Sequence, residues 1–222
     1  MKSSSKLTAR VAWCAAWLSL PLSVVHALSR FATADGRSDL DSAVVRWWAE
    51  PAARHLRSLL DWSSPDTVYR TYGKIWLPLM LAALAAAFVV RRHRSPHGLE
   101  RVAWPIALAG FAGLTVSLLG DYFTPWMEES FAAIGIPAML ITMLGFLLLG
   151  IALLRRRFRP AAAAWLLLLW VPELFLLSGL IALGAALIPV LFAWALAAGA
   201  VTAQPTGVPS VVGSAERSDL DV

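Results

Sequence analysis

Glu173 is the one charged residue in the apolar stretch from Ala161 to Val201, and it directly follows Pro172. A charged carboxylate at mid-bilayer costs at least ~2.5–3.5 kcal/mol on insertion scales, so a residue of this type there has a packing or a functional reason. Pro172 lacks an N–H and leaves the carbonyl of Leu168 without its helical donor. Carboxylate and carbonyl together would suit the handling of a proton or a small cation. The plainer reading is a neutral Glu173 bonded to a neighbouring hydroxyl, since no second carboxylate or histidine shares its helix.

Asp121 is the second candidate. It ends a stripe of Ala109, Gly113 and Ser117 at i+4 steps. Small residues at that spacing let helix backbones approach closely, and a polar track leading to Asp121 is the functional alternative. Asp121, Glu128 and Glu129 form an acidic turn, DYFTPWMEES. Metal sites need several convergent ligands, and with no histidine nearby no metal site is assigned. His26, His55, His93 and His97 are scattered, and no HExxH pattern occurs. Cys14 is the single cysteine, which excludes an intramolecular disulfide. Phosphate-loop, dinucleotide-binding and serine-hydrolase motifs are absent, and no cofactor is expected.

The elements that must carry these residues follow from hydropathy. Hydrophobic residues make up 59% of the chain and charged residues 15%, against roughly 45–50% and about 25% in soluble domains. The apolar residues are gathered into uncharged runs. A run of ~20 residues crosses a ~30 Å hydrocarbon core as a helix, and backbone in lipid must satisfy itself internally. The expected fold is therefore an all-α integral membrane protein, a bundle of about six transmembrane helices with an amphipathic outer segment.

Residues 1–30 hold a basic start and the first span, from Val11 to about Ser29. Its pattern is shared with cleavable signal peptides, but the apolar run is long for one. A retained signal-anchor is preferred, and cleavage would leave five spans. Residues 31–73 form the one long polar segment before the tail. In it Val44, Val45, Trp48, Ala52, Leu56, Leu59 and Leu60 fall at helical steps on one face. Such a helix lies in the membrane interface or packs over the spans as a lid, and Pro51 is expected to break or kink it. Five further spans are expected over 74–90, 103–120, 131–154, 161–180 and 184–201. Pro78, Pro105 and Pro137 are placed early in theirs, where a missing N–H costs little. The run 161–201 would reach roughly 60 Å as one helix, so a tight turn is expected within Ser178–Ala186. Residues 202–222 read as a disordered tail.

Short joints set orientation. Arg91, Arg92, Arg94 and Arg101 follow the second span, and Arg155, Arg156, Arg157 and Arg159 follow the fourth. The acidic turn has neither lysine nor arginine. The arginine joints and both termini are then cytoplasmic, with the acidic turn outside, in a cell (inner) membrane. The arginines of 31–73 oppose this rule. Arg91, Arg92, Arg94, Arg155, Arg156 and Arg157 are also candidates for anionic lipid headgroups. The formal charge of +5 sits at span ends, which excludes nucleic acid as a partner. Lipid and other membrane subunits are the expected partners. The function expected is a non-catalytic accessory or assembly subunit. The alternatives are a small-substrate or proton-linked transporter using Glu173, or a lipid-modifying enzyme with Asp121, Glu128 and Arg54 or Arg57 at its outer face.

Overall fold

A computed structural model describes residues 2–203. The protein is all-α. In chain order, α1 (Lys2–Ala32) leads through a 3₁₀ turn (Arg37–Asp41) to α2 (Ala43–His55) and the short α3 (Arg57–Leu60). Then come α4 (Pro65–Arg92), α5 (Leu99–Phe123), the short α6 (Met127–Ser130), a π-helical turn (Phe131–Gly135) and α7 (Ile136–Arg155). Finally α8 (Ala161–Leu168), α9 (Trp170–Leu180), a 3₁₀ turn (Leu183–Ala186) and α10 (Leu187–Ala203) complete the bundle. Five helices are long and apolar enough to cross a membrane, and α8 with α9 adds a sixth if that bent pair is one span. The fold is a polytopic membrane bundle, as expected. The polar tail expected over 202–222 lies, from residue 204 onward, outside the described residues.

α5 and α7 make the tightest contact. A methyl group added at Gly110 would fall 2.4 Å from the Thr142 nitrogen, and one at Gly145 would fall 2.4 Å from Ala107 Cα. In lipid the gain comes from van der Waals contact, which only small residues allow at this distance. The expected α5 stripe shifts accordingly. Gly113 meets Ala138 and Ser117 is buried, but Ala109 is exposed. The packing face runs through Ala107 and Gly110 because 3.6 residues per turn carries an i+4 series slowly off one face.

Around α10 lies an aromatic core. Trp194 is fully buried, with its ring 5.7 Å from Trp104, 6.0 Å from Phe146 and 6.4 Å from Phe111. Phe146 also meets Trp170 edge-on at 5.4 Å. Such pairs favour tilted or edge-to-face arrangements.

The prolines differ from expectation. α4 begins at Pro65, capped by Ser64, whose hydroxyl oxygen accepts from Thr67 N–H. Pro78 is therefore deep inside α4, not in its first turn. Pro105 likewise lies inside α5, because that helix starts at Leu99. Pro51 does not break α2, which runs on to His55 and ends at Leu56. Pro137 does begin α7. The chain before it widens into the π-helical turn, in which the Ile136 N–H reaches back to the Phe131 carbonyl. Widening relieves the clash a proline ring makes one turn back. Pro172 acts most strongly: α8 and α9 are bent by 67° at Leu169, beside the carbonyl of Leu168 that Pro172 cannot serve.

The two ends of the bundle differ in chemistry. At the arginine end, Glu100 is buried. It accepts from Arg94 Nη2 at 2.9 Å, from Arg156 Nη1 at 3.1 Å and from Trp104 Nε1 at 3.1 Å. One carboxylate thus ties the joint after α4 to the joint after α7. Arg94 also stacks its guanidinium over Phe158, 5.1 Å from the ring centre. At the other end α2 covers the bundle as a lid. Val45 and Ala49 are buried against Ala27, Leu28, Phe31 and Ala182. Val44 and Leu59, which their spacing assigns to this face, are both exposed.

Removing one member of a buried ion cluster strands the others and costs about 3 kcal/mol or more. Glu100→Gln should therefore lower the thermal midpoint in detergent clearly. Arg57→Ala removes a pair whose side chains are 81% and 59% exposed and should cost under about 1 kcal/mol. Equal midpoints for the two variants would deny Glu100 its locking role.

Candidate functional site

Beneath the lid lies a chamber of about 630 Å³. Its wall is built from α1 (His26, Arg30), α4 (Tyr69, Trp76, Met80), α5 (Leu114, Ser117, Leu118, Asp121, Tyr122) and α9 with the following turn (Leu174, Ser178, Ala182, Gly184). Met127, Glu128 and Phe131 close one side, and Asp35, Asp39 and Val45 contribute from the lid segment.

α1 presents a polar seam to this end of the bundle. Ser19, Ser23, His26, Ser29 and Thr33 are all buried. Each of the three serines donates to a carbonyl three residues back: Ala16, Leu20 and His26. Such local bonds satisfy a hydroxyl inside a membrane helix without a partner helix. His26 makes no such bond among the described residues, and its ring is held by other side chains. Tyr122 Oη lies 3.1 Å from His26 Nε2. Tyr69 stacks on the imidazole at 4.8 Å, and Trp76 meets it edge-on at 6.2 Å. The Tyr122 ring can sit here because Gly73 carries no side chain; a methyl group there would fall 2.1 Å from Tyr122 Cδ1. Arg30 pairs with Asp39 at 2.9 Å, tying the mouth of the chamber to the lid. Trp48 donates from Nε1 to the Leu180 carbonyl at 2.8 Å, tying the lid to α9. Phe31 and Trp48 pack edge-on at 6.0 Å.

The expected site residues fall in different places. Asp121 and Glu128 line the chamber. Asp121 is buried with Oδ1 unpartnered among the described residues. Glu129 instead lines a shallow groove beside the chamber with Trp126 and Ser130. Among the described residues no group of three or more His, Cys, Asp or Glu could hold a metal ion. Glu173 is half-buried on α9, with Oε2 unpartnered among the described residues, and it lies outside the chamber lining. Of the arginines considered for lipid, Arg94 and Arg156 are engaged by Glu100, while Arg91, Arg92, Arg155 and Arg157 are exposed.

His26, Arg30, Tyr69, Trp76 and Tyr122 were not singled out from the sequence. For α1 a signal existed: Ser19, Ser23, His26, Arg30 and Thr33 recur at steps of four, three, four and three, a polar face on an apolar helix. Tyr69, Trp76 and Tyr122 belong to other helices, and nothing in local spacing marks them as neighbours of His26.

Fold and site together define the class: a polytopic all-α membrane protein with a lid-covered, partly polar chamber at one end of its bundle. Comparison with family models, curated proteins and solved structures finds no match for this chain.

The indole N–H of Trp48 is the lid's one hydrogen bond to α9 given by side-chain contacts among the described residues. Such a bond is worth about 0.5–1.5 kcal/mol net. Trp48→Phe keeps the ring and drops the donor. Amide exchange in α2 should accelerate by about twofold to tenfold, read by hydrogen–deuterium exchange in detergent. Unchanged exchange there would mean that the apolar seam alone holds the lid.

Proposed function

We propose that this protein is a non-catalytic binding subunit of its membrane, which receives a small amphiphilic molecule in the chamber beneath α2. The observation that carries this reading is the chamber's size and lining. About 630 Å³ falls within the ~300–1,000 Å³ of small-molecule sites. Its wall sets apolar side chains such as Met80, Leu114, Leu118 and Leu174 beside the polar groups of His26, Asp121, Tyr122 and Ser178. A molecule with an apolar body and a polar head matches that division. Binding is favoured over turnover because, among the described residues, no serine of the lining is hydrogen-bonded to a histidine or a carboxylate that could activate it: the Ser117 hydroxyl donates to the Leu114 carbonyl, and His26 Nε2 meets the Tyr122 phenol.

The positive-inside rule orients this picture. With Arg91, Arg92, Arg155 and Arg157 at one end, that end is cytoplasmic and the chamber faces the opposite side of the cell membrane. A ligand would then come from the extracytoplasmic side or from the outer leaflet. The alternative of a proton-linked transporter rests on Glu173. It gains no support from the chamber, whose lining Glu173 does not join.

Native mass spectrometry of protein released from its own membrane tests the binding reading. The wild type should carry a small adduct. Ser178→Trp and Leu187→Trp, which fill the chamber from two sides, should each lose it without a change in melting temperature. A wild type free of adduct would reject the proposal. Sidedness has its own check. In a Cys14→Ser background, Glu128→Cys should react with a membrane-impermeant maleimide added to intact cells. Reaction only after lysis would invert the map.

A further inference from the structure

We infer, building on the binding reading above, that the molecule taken by the chamber is a lipophilic amine, with its ammonium head held at the mouth by the open oxygen of Asp121 and its apolar body lying deeper in the bundle. Asp121 is 8% exposed and lines the chamber. Its Oδ1 is sealed and has no hydrogen-bond partner among the described residues. Oδ2 accepts no hydrogen bond among them either, but it is not sealed, so it is the oxygen a ligand can reach. The neighbouring hydroxyls of Ser117 and Ser130 give their protons to the carbonyls of Leu114 and Ser117, at 3.0 and 3.4 Å. Among the described residues no lysine or arginine forms a salt bridge with Asp121. A carboxylate this deep without a counter-charge is costly. An ammonium entering the chamber supplies both the charge and the N–H donors.

The lining sorts by depth. Leu114, Leu118 and Asp121 follow one another along α5 at steps of four and three, which keeps them on one face. At 1.5 Å per residue Leu114 lies roughly 10 Å below Asp121. α4 runs the other way and repeats the order: Tyr69 lies near its start, and Met80 lies roughly 16 Å further in. Asp35 and Asp39 come from the lid segment, and Glu128 from the turn after α5, so these acids stand at the mouth as well. A charged head therefore belongs at the mouth, with an apolar body beneath it.

The sign of that head follows from the balance of charge. Four carboxylates line the chamber against one cation, Arg30, a formal balance of −3, and Arg30 is already paired with Asp39. Asp35 and Glu128 are exposed; they act through the field they set up at the rim, which draws cations inward. Tyr69 and Tyr122 line the same end with their rings 5.8 Å apart, and phenol faces attract an ammonium in a desolvated site. A carboxylate or phosphate head meets a field of its own sign. A neutral head leaves Asp121 without a counter-charge. A phosphatidylethanolamine headgroup carries a phosphate beside its ammonium and forfeits the gain, so the amine is a free one.

Three probes with one apolar body test this: 1-naphthylmethylamine, 1-naphthalenemethanol and 1-naphthylacetate. Each is measured by equilibrium dialysis near neutral pH against the full chain in nonionic detergent, with binding to empty micelles subtracted. The wild type should bind the amine about tenfold tighter than the alcohol, as expected for hydrogen bonding to a charged group, and the acetate most weakly. This ranking needs no variant. Asp121→Asn keeps the shape of the carboxyl and removes its charge; amine binding should fall to the level of the alcohol while alcohol binding holds. Glu129→Gln, in the groove outside the chamber, should leave the tenfold preference intact. Equal binding of amine and alcohol by the wild type, or tightest binding of the acetate, overturns the amine and leaves the chamber standing as a binding site. A preference that survives Asp121→Asn overturns Asp121 as its holder. Saturable binding of none of the three overturns the binding reading with it. Dihexanoyl phosphatidylethanolamine should fail to displace the naphthylmethylamine; displacement would assign the ammonium to a membrane headgroup and overturn the free amine.

Discussion

Inside a hydrocarbon slab a polar group has only the protein itself to bond with, and most of this structure follows from that constraint. The serines of α1 return their protons to carbonyls of their own helix. Thr115 and Thr142 do the same on α5 and α7. Trp170, at the bend between α8 and α9, donates to the Ala186 carbonyl at 2.8 Å. Glu100 is buried, yet three donors surround it. Where the rule is met the bundle is closed. It is least well met around the chamber: His26, Trp76, Asp121 and Ser178, all lining residues, contribute four of the six buried side-chain atoms without a partner among the described residues.

The same constraint governs the backbone breaks. A proline in lipid exposes a carbonyl that water cannot reach. Pro137 is met by widening the helix before it, and Pro172 by a 67° turn of the chain. The bend sends α9 away from the line of α8. It brings Leu180 under the lid, where its carbonyl accepts from Trp48, and it places Leu174 and Ser178 in the chamber wall. Pro172 thus shapes the chamber through backbone geometry alone, while its neighbour Glu173 stays outside.

The extent to which the sequence reveals this protein divides by range. Spans are local properties of apolar runs, so the helical bundle, its number of crossings and the turn after Leu180 are legible. The lid is legible as an amphipathic helix, because Val45, Trp48, Ala52 and Leu56 recur at steps of three and four, while Ala49, buried in the same seam, carries no signal of its own. Helix starts are less so: α4 begins at Pro65, where Ser64 caps it and its first turns run through polar residues. The site is barely legible, since His26 and Tyr122 are 96 positions apart. Glu100 shows the same limit from the other side. It looks like an ordinary acid in a basic joint, and only the folded chain brings Arg156 to it.

Of the five arginines of the outer segment, which run against the positive-inside pattern, three have partners, as does Arg30 just before it. Arg30 is held by Asp39, Arg46 by the Leu40 carbonyl, Arg57 by Asp61, and Arg70 by the Thr124 carbonyl at 3.5 Å. Two of these four acceptors are backbone oxygens, which carry no formal charge and leave the arginine's charge in place. The pairing therefore does not make the segment neutral. What it does is fix the segment's path: Arg30 to Asp39 folds the chain back at the end of α1, and Arg70 to Thr124 joins the start of α4 to the end of α5. Arg46 and Arg57 bond within the segment itself, so what holds α2 over the chamber is the apolar seam of Val45 and Ala49 together with the Trp48 bond to Leu180.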